Sequence, residues 1–164
     1  MDEEELLEKA SAYANAHGAT IGARLGFGIH GIVLVLKSQS KPAATALKVH
    51  SFAEPYFREQ RAYERLRDAG ITRMRGFDVP QLVARNDELL ALEMTIVSPP
   101  FVLDFAGAHL DFPPEFSQEV WEDWSRKNEE QFGLDWPEAQ AILAEFEEIG
   151  LYVLDPSPSN LRFR

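Results

Sequence analysis

Three clusters of residues in this chain have types and spacings suited to chemistry. Near the C-terminus it reads LYVLDPSPSNLRFR, an apolar run broken by Asp155, then two prolines and, five positions after the aspartate, Asn160. A carboxylate and an amide set among prolines, at what reads as the mouth of a β-hairpin, look like a site. Further upstream, LGFGIHGIV spaces Gly26, Gly28 and Gly31 as G-x-G-x-x-G. Residues without a Cβ let backbone N–H groups approach phosphate oxygens, so the chemistry suggested there is phosphate binding. Between the two lies ALKV, where Lys48 interrupts Ala46, Leu47 and Val49. A cation in an apolar strand either faces a partner or sits on an edge turned to water.

The elements that must position these groups follow from periodicity and breakers. Asp2 to His17 has helix formers, acids in its first turn and Gly18 as a stop, which predicts a lead-in helix. TIGARL, IVLVLK and ATALKVH are β-type runs, separated by the glycine cluster and by the hairpin signal SQSKP. EPYFREQRAYERLRDAG repeats Phe57, Ala62, Tyr63 and Leu66 at helical spacing and ends on Gly70. PQLVAR and ELLALEMTIV then predict two strands around the turn NDE. After Pro99 and Pro100 the pattern is mainly helical. Phe116, Val120 and Trp124 recur four apart, and Ala139, Ile142, Leu143, Phe146 and Ile149 form a second stripe. Asp135 and Glu138 are spaced as a capping box for that last helix, with Pro137 in its first turn.

Bulk properties narrow the class. At 164 residues, 45% of them hydrophobic, the chain can bury a core as one domain or two small lobes. It has no cysteine, which excludes thiol catalysis, Cys-type zinc sites and disulfides. A formal charge of -11 argues against nucleic acid as the main partner but leaves a single nucleotide open. Without an apolar span or a signal-peptide pattern at MDEEELLEKA, the sequence reads as cytoplasmic with no membrane role.

The glycine motif has two known uses. A dinucleotide fold requires a helix opening directly on the glycines. Here Ile32, Val33, Leu34, Val35 and Leu36 follow, which is a strand. A glycine hairpin joining two strands is the lid over ATP phosphates in kinases, and His30 within it is available to touch a phosphate or to be solvated.

Taken in order, the motifs resemble the N-lobe and catalytic loop of the protein kinase-like family, over about Ile21 to Arg164. Gly26, Gly28, Gly31 and Val33 match the glycine loop, ALKV resembles the family's Val-Ala-Ile-Lys, and VLDPSPSN aligns with its catalytic loop without a gap. The fold implied is α+β: a five-stranded antiparallel N-lobe sheet with one αC-type helix, then a reduced, mainly helical C-lobe. The implied divisions are a lead-in helix over 1–18, an N-lobe over 19–98, and a hinge with a minimal C-lobe over 99–164. The resemblance implies that Lys48 holds the α- and β-phosphates of ATP and that Glu59, preferred over Glu64, pairs with it. It implies adenine contacts from backbone groups near Glu93 to Thr95. It makes Asp155 the catalytic aspartate, which accepts the hydroxyl proton, and Asn160 a Mg²⁺ ligand.

Departures accompany the likeness. Val153 and Leu154 stand where the family has His and Arg, and Ser157 where it has Lys, while Pro158 matches the family proline. The Asp-Phe-Gly motif of the family follows the catalytic loop, and this chain stops at Arg164 before that point. The expectation is therefore a kinase-like fold truncated before that motif. Asp104, Asp111 and Asp123 are available as substitutes, but no pattern places them. Two functions follow: an ATP-dependent phosphotransferase, or a pseudokinase-type binding module. In the second case a partner protein or a homodimer would cover the reduced C-lobe, whose aromatic residues include Phe116, Trp121 and Trp124.

Overall fold

The computed structural model describes residues 1–164. In chain order the elements are α1 (Glu3–Ala16), β1 (Ala19–Gly28), β2 (Gly31–Ser38), β3 (Thr45–His50), α2 (Ala53–Asp68), β4 (Arg73–Met74), β5 (Phe77–Asp78), β6 (Leu82–Asn86) and β7 (Ala91–Thr95). There follow β8 (Phe101–Val102), β9 (His109–Leu110), α3 (Gln118–Phe132), a short 3-10 turn, α4 (Trp136–Glu148), β10 (Leu151–Tyr152) and β11 (Leu161–Arg162). No helix is long and apolar enough to cross a membrane.

Five strands form one antiparallel sheet in the order β1-β2-β3-β7-β6. This is the α+β arrangement expected from the sequence: a five-stranded sheet with one packed helix, then a mainly helical remainder. Each face of the sheet carries its own core. Leu6, Ala10, Tyr13 and Ala14 of α1 pack with Ile32, Leu34, Leu36, Leu47, Val49 and Ala91 on one side. Tyr56, Ala62, Tyr63 and Leu66 of α2 join Ala46, Leu92 and Met94 on the other, in a core continuous with Trp136, Ile142 and Phe146 of the helical part. Because side chains alternate along a strand, β3 is buried at all six positions. Lys48, between Leu47 and Val49 of the α1 side, therefore points to the α2 side.

Several local expectations are corrected. On α2 the buried aromatic of the first turns is Tyr56, while Phe57 is exposed. On α3 the stripe Phe116, Val120, Trp124 is not a core face: Phe116 lies before the helix, and both it and Val120 are exposed. The helix instead buries Asn128 and Phe132, and its cap is Ser117, whose side chain accepts from the Val120 N–H. Asp135 makes no side-chain cap for α4, because it closes the preceding 3-10 turn with helical φ and ψ of -81° and -9° rather than the extended backbone a cap requires, and Glu138 pairs instead with the Arg75 guanidinium at 2.9 Å. The capping box occurs at α1, between Asp2 and Glu5. The β4–β5 hairpin was not anticipated, since two-residue strands are too short to show alternation.

Candidate functional site

The stretch around Asp155 is not the mouth of a hairpin. β10 and β11 flank it, but β10 pairs with β9 and β11 pairs with β8. The segment between β8 and β9 is Leu103–Ala108, and the one between β10 and β11 is Val153–Asn160. Two antiparallel pairs at the ends of both segments force the loops to face each other, and Leu103 N–H donates to the Asn160 carbonyl at 2.9 Å. The carboxylate oxygens of Asp155 crowd Gly107 so closely that a Cβ there would lie 2.7 Å from both.

The loop opposite Asp155 reads Asp104-Phe105-Ala106-Gly107. Its aspartate, with a left-handed φ of 69°, reaches two of the residues singled out above. Asp104 Oδ1 lies 3.0 Å from Lys48 Nζ, and Asp104 Oδ2 accepts from Asn160 Nδ2 at 3.4 Å. Phe105 ties the loop to the helices. Its N–H donates to Glu59 Oε1 at 3.2 Å, and its ring packs edge-on against Tyr63 of α2 and Phe146 of α4. Asp104 was one of three unplaced acids in the sequence. The signal that would have found it is the local string Asp-Phe-x-Gly, read without regard to its place in the chain.

Lys48 also meets Glu59, Nζ to Oε2 at 2.7 Å, with both side chains buried. Glu64, the competitor, lies on the α2 side that meets Gln60 and Arg85. Burial alone would push the Glu59 carboxyl up, but the Lys48 charge and the His50 hydrogen bond outweigh it and bring it to about 2. Burial likewise opposes the Lys48 charge, and Glu59 and Asp104 overcome it, leaving the ammonium held above its usual range. Asp155 moves the other way: burial, then the like charge of Asp104, raises it. Its residue is nonetheless exposed on one face.

Gly26, Gly28 and Gly31 lie in the β1–β2 hairpin, whose last pair is Gly28 with Gly31 around Ile29 and His30. Only Gly31 is sterically required: its φ is 136°, and a Cβ would fall 2.0 Å from the Val49 carbonyl oxygen. A Cβ at Gly28 would meet nothing within 4 Å, so that backbone is uncovered. Val33 is the cross-strand neighbour of Lys48 and packs on the same side of the sheet.

Glu93 and Thr95 are not brought to this cleft. Glu93 lies in β7 with β3 on one edge and β6 on the other, so its backbone faces the ladder. Its side chain points to the α1 side, where Tyr13 OH, Thr45 Oγ1 and Lys41 Nζ donate to it at 2.8, 2.7 and 3.0 Å. Burial would raise that carboxyl, and these donors lower it instead. The Thr95 N–H donates to the Gln81 carbonyl, and its hydroxyl oxygen accepts from the Gln81 N–H.

No protein-family model matches the chain, and no curated protein matches it. Among solved structures it is similar to the crystal structure of the kinase domain of Mycobacterium tuberculosis PknI, C20A_R136N double mutant, at 19% identity and a TM-score of 0.45. The match covers 87% of this chain and 54% of that one, so the chain spans about half the length of that domain.

Proposed function

We propose that the chain is an ATP-binding, kinase-like phosphotransferase that moves the γ-phosphoryl group to a hydroxyl acceptor. One observation carries this: Asp104 joins Lys48 to Asn160 in a single cleft, with Asp155 facing it across Gly107. The metal-binding carboxylate that the sequence order withheld has a candidate in Asp104. Two carboxylates and an amide are hard oxygen donors of the kind Mg²⁺ takes alongside substrate phosphates. Asp104 and Asn160 would hold it, and it would supply neutralisation of phosphate charge.

Lys48, held by Glu59, would bind the nucleotide's phosphates as a fixed cation. The uncovered backbone at Gly28, with Gly26 beside it in the hairpin, would approach them from above, and Val33 would offer apolar surface beside Lys48. In the transfer step the acceptor oxygen bonds to the γ-phosphorus while the bond from that phosphorus to ADP breaks. The hydroxyl proton goes to Asp155, whose raised proton affinity suits an acceptor.

Calorimetric titration of ATP with and without Mg²⁺, beside the Lys48→Met variant, tests the proposal. Magnesium-dependent binding that the variant loses supports it, and equal affinity in the two proteins overturns the site. The exposed Leu25, Phe27 and Ile29 on the glycine hairpin favour a second hypothesis, a kinase-shaped module that acts through a protein partner. Absence of any nucleotide binding would select it.

A further inference from the structure

His50 ends β3, two residues beyond Lys48, and is wholly buried. Its Nε2 lies 2.6 Å from Glu59 Oε2, the same oxygen that meets Lys48. Its Nδ1 lies 3.2 Å from the carbonyl oxygen of Leu90, a residue in the left-handed region at φ 53°. Tyr56 closes the pocket edge-on at 5.4 Å between ring centroids, its hydroxyl spent on Asp87. The groups facing the imidazole are therefore Glu59 and Tyr56 from α2, the Leu90 carbonyl from the start of β7, and Lys48 along its own strand.

We propose that His50 is a positioning residue for the Lys48–Glu59 pair, holding the same Glu59 oxygen that meets Lys48 by donating its Nε2 proton. This rests on the phosphotransfer proposal for its consequence but not for its geometry. A carboxylate on a helix has rotamer freedom that one lysine does not remove, and Glu59 is fixed at three points: Lys48, His50 and the Phe105 N–H. The Glu59 carboxylate oxygen can only accept, so a ring with its proton on Nε2 satisfies it. The pair is thus assembled before any ligand arrives, which is the preorganisation that a positively charged phosphate site requires.

The test begins with ligand-free protein. Long-range ¹H–¹⁵N spectra resolve the imidazoles of the four histidines, and His50→Gln assigns the signal of interest. The expected result is a protonated Nε2 at His50 whose shift changes in Glu59→Gln; an unprotonated Nε2, or no response to Glu59→Gln, overturns the proposal. The second arm measures ATP affinity. His50→Phe keeps a ring and removes both donors, whereas the glutamine amide nitrogen of His50→Gln reaches the place of Nε2. About tenfold weaker binding in His50→Phe with rescue to within about threefold in His50→Gln is expected, on the scale of one hydrogen bond to a charged group. Equal losses in the two variants, or none in either, overturn the positioning role. Wild-type protein that binds no ATP overturns the phosphotransfer proposal instead, and the spectra still decide His50.

Discussion

Asp104 precedes Asn160 by 56 residues, yet its carboxylate accepts from the Asn160 amide at 3.4 Å while its other oxygen lies on Lys48. Here the acidic loop enters the cleft first and the loop bearing Asp155 and Asn160 comes after α3 and α4. In this chain the pairing of β8 with β11 and of β9 with β10 brings the two loops face to face.

That relationship singles out Asp104 among the acids. Asp104→Asn keeps the side-chain shape and removes the charge. It is expected to abolish the magnesium dependence of ATP binding, whereas Asp111→Asn and Asp123→Asn leave it intact. Asp111 is occupied with Arg65 at 2.6 Å and Asp123 with Lys127 at 2.9 Å. Calorimetry with and without Mg²⁺ on the three variants decides it, and an unchanged Asp104→Asn would remove the metal assignment.

Lys48→Met tests both affinity and stability. Removing one partner from a buried ion pair costs roughly 3–5 kcal/mol because the other charge is stranded. His50 and the Phe105 N–H still satisfy Glu59, so the cost should fall at the lower end. The expected outcome is a cooperative thermal transition at reduced Tm, with ATP affinity down at least about tenfold. Retained affinity would show that Lys48 does not meet the phosphates.

Much of this was legible in the sequence because it depends on local periodicity. The resemblance implies Glu59 rather than Glu64 as the partner of Lys48, and in the structure Glu59 lies 2.7 Å from it. The strands of the large sheet are long enough to show their character. What failed depended on tertiary partners. The Phe116 to Trp124 stripe has helical spacing, but only Trp124 reaches the core, against Trp136, while Phe116 and Val120 stay exposed. The capping box at Asp135 is defeated because a 3-10 turn carries Asp135 into helical backbone and Arg75, distant in sequence, takes Glu138. Glu93 reads as a hinge residue, and only the arrival of α1 over the sheet reveals why a carboxylate can be buried there. Asp104 was hidden by an assumption about order, which strand pairing does not respect.

Acid should destabilise the protein through Glu59. Its carboxyl is lowered from 4.5 to about 2 in the folded chain, so the stability it contributes is present above about pH 4.5 and is lost as pH falls through 2. For a shift of this size the contribution is on the order of 3 kcal/mol. Glu93, lowered as well, acts in the same sense. Chemical denaturation at pH 6, 4 and 3 should show stability falling with pH, and Glu59→Gln should flatten the profile. A profile unchanged by that substitution would show that Glu59 is not held as described.

Asp155 carries the opposite sign. Burial and Asp104 raise its proton affinity in the folded state, so its charged form is a liability at neutral pH that protonation relieves. Asp155→Asn should therefore melt higher at pH 7 than the wild type, by about 2 °C, while transfer to any acceptor is lost. A gain in stability joined to a loss of activity is what a residue kept for chemistry shows. A lower Tm in this variant would mean that the carboxylate serves the fold.

Gly107→Ala probes the same carboxylate from the other loop. An added Cβ would stand 2.7 Å from both Asp155 carboxylate oxygens, closer than side chains tolerate, while Gly107 itself lies outside the left-handed region. The backbone is therefore not strained by the substitution, and the side chain of Asp155, exposed on one face, has room to swing aside. The expected result is a folded protein with stability within about 0.5 kcal/mol of wild type, the range for a substitution that makes no cavity and strains no backbone, with ATP affinity kept and phosphoryl transfer strongly reduced. Gly31→Ala is the contrast: its Cβ would meet the Val49 carbonyl oxygen at 2.0 Å with φ at 136°, and backbone cannot step aside as a carboxylate can. That variant should lose several kcal/mol of stability, read as a large drop in denaturation midpoint. If Gly107→Ala retained full transfer, Asp155 would not need to lie against the Asp104 loop, and the facing-loop geometry would not be the basis of the reaction.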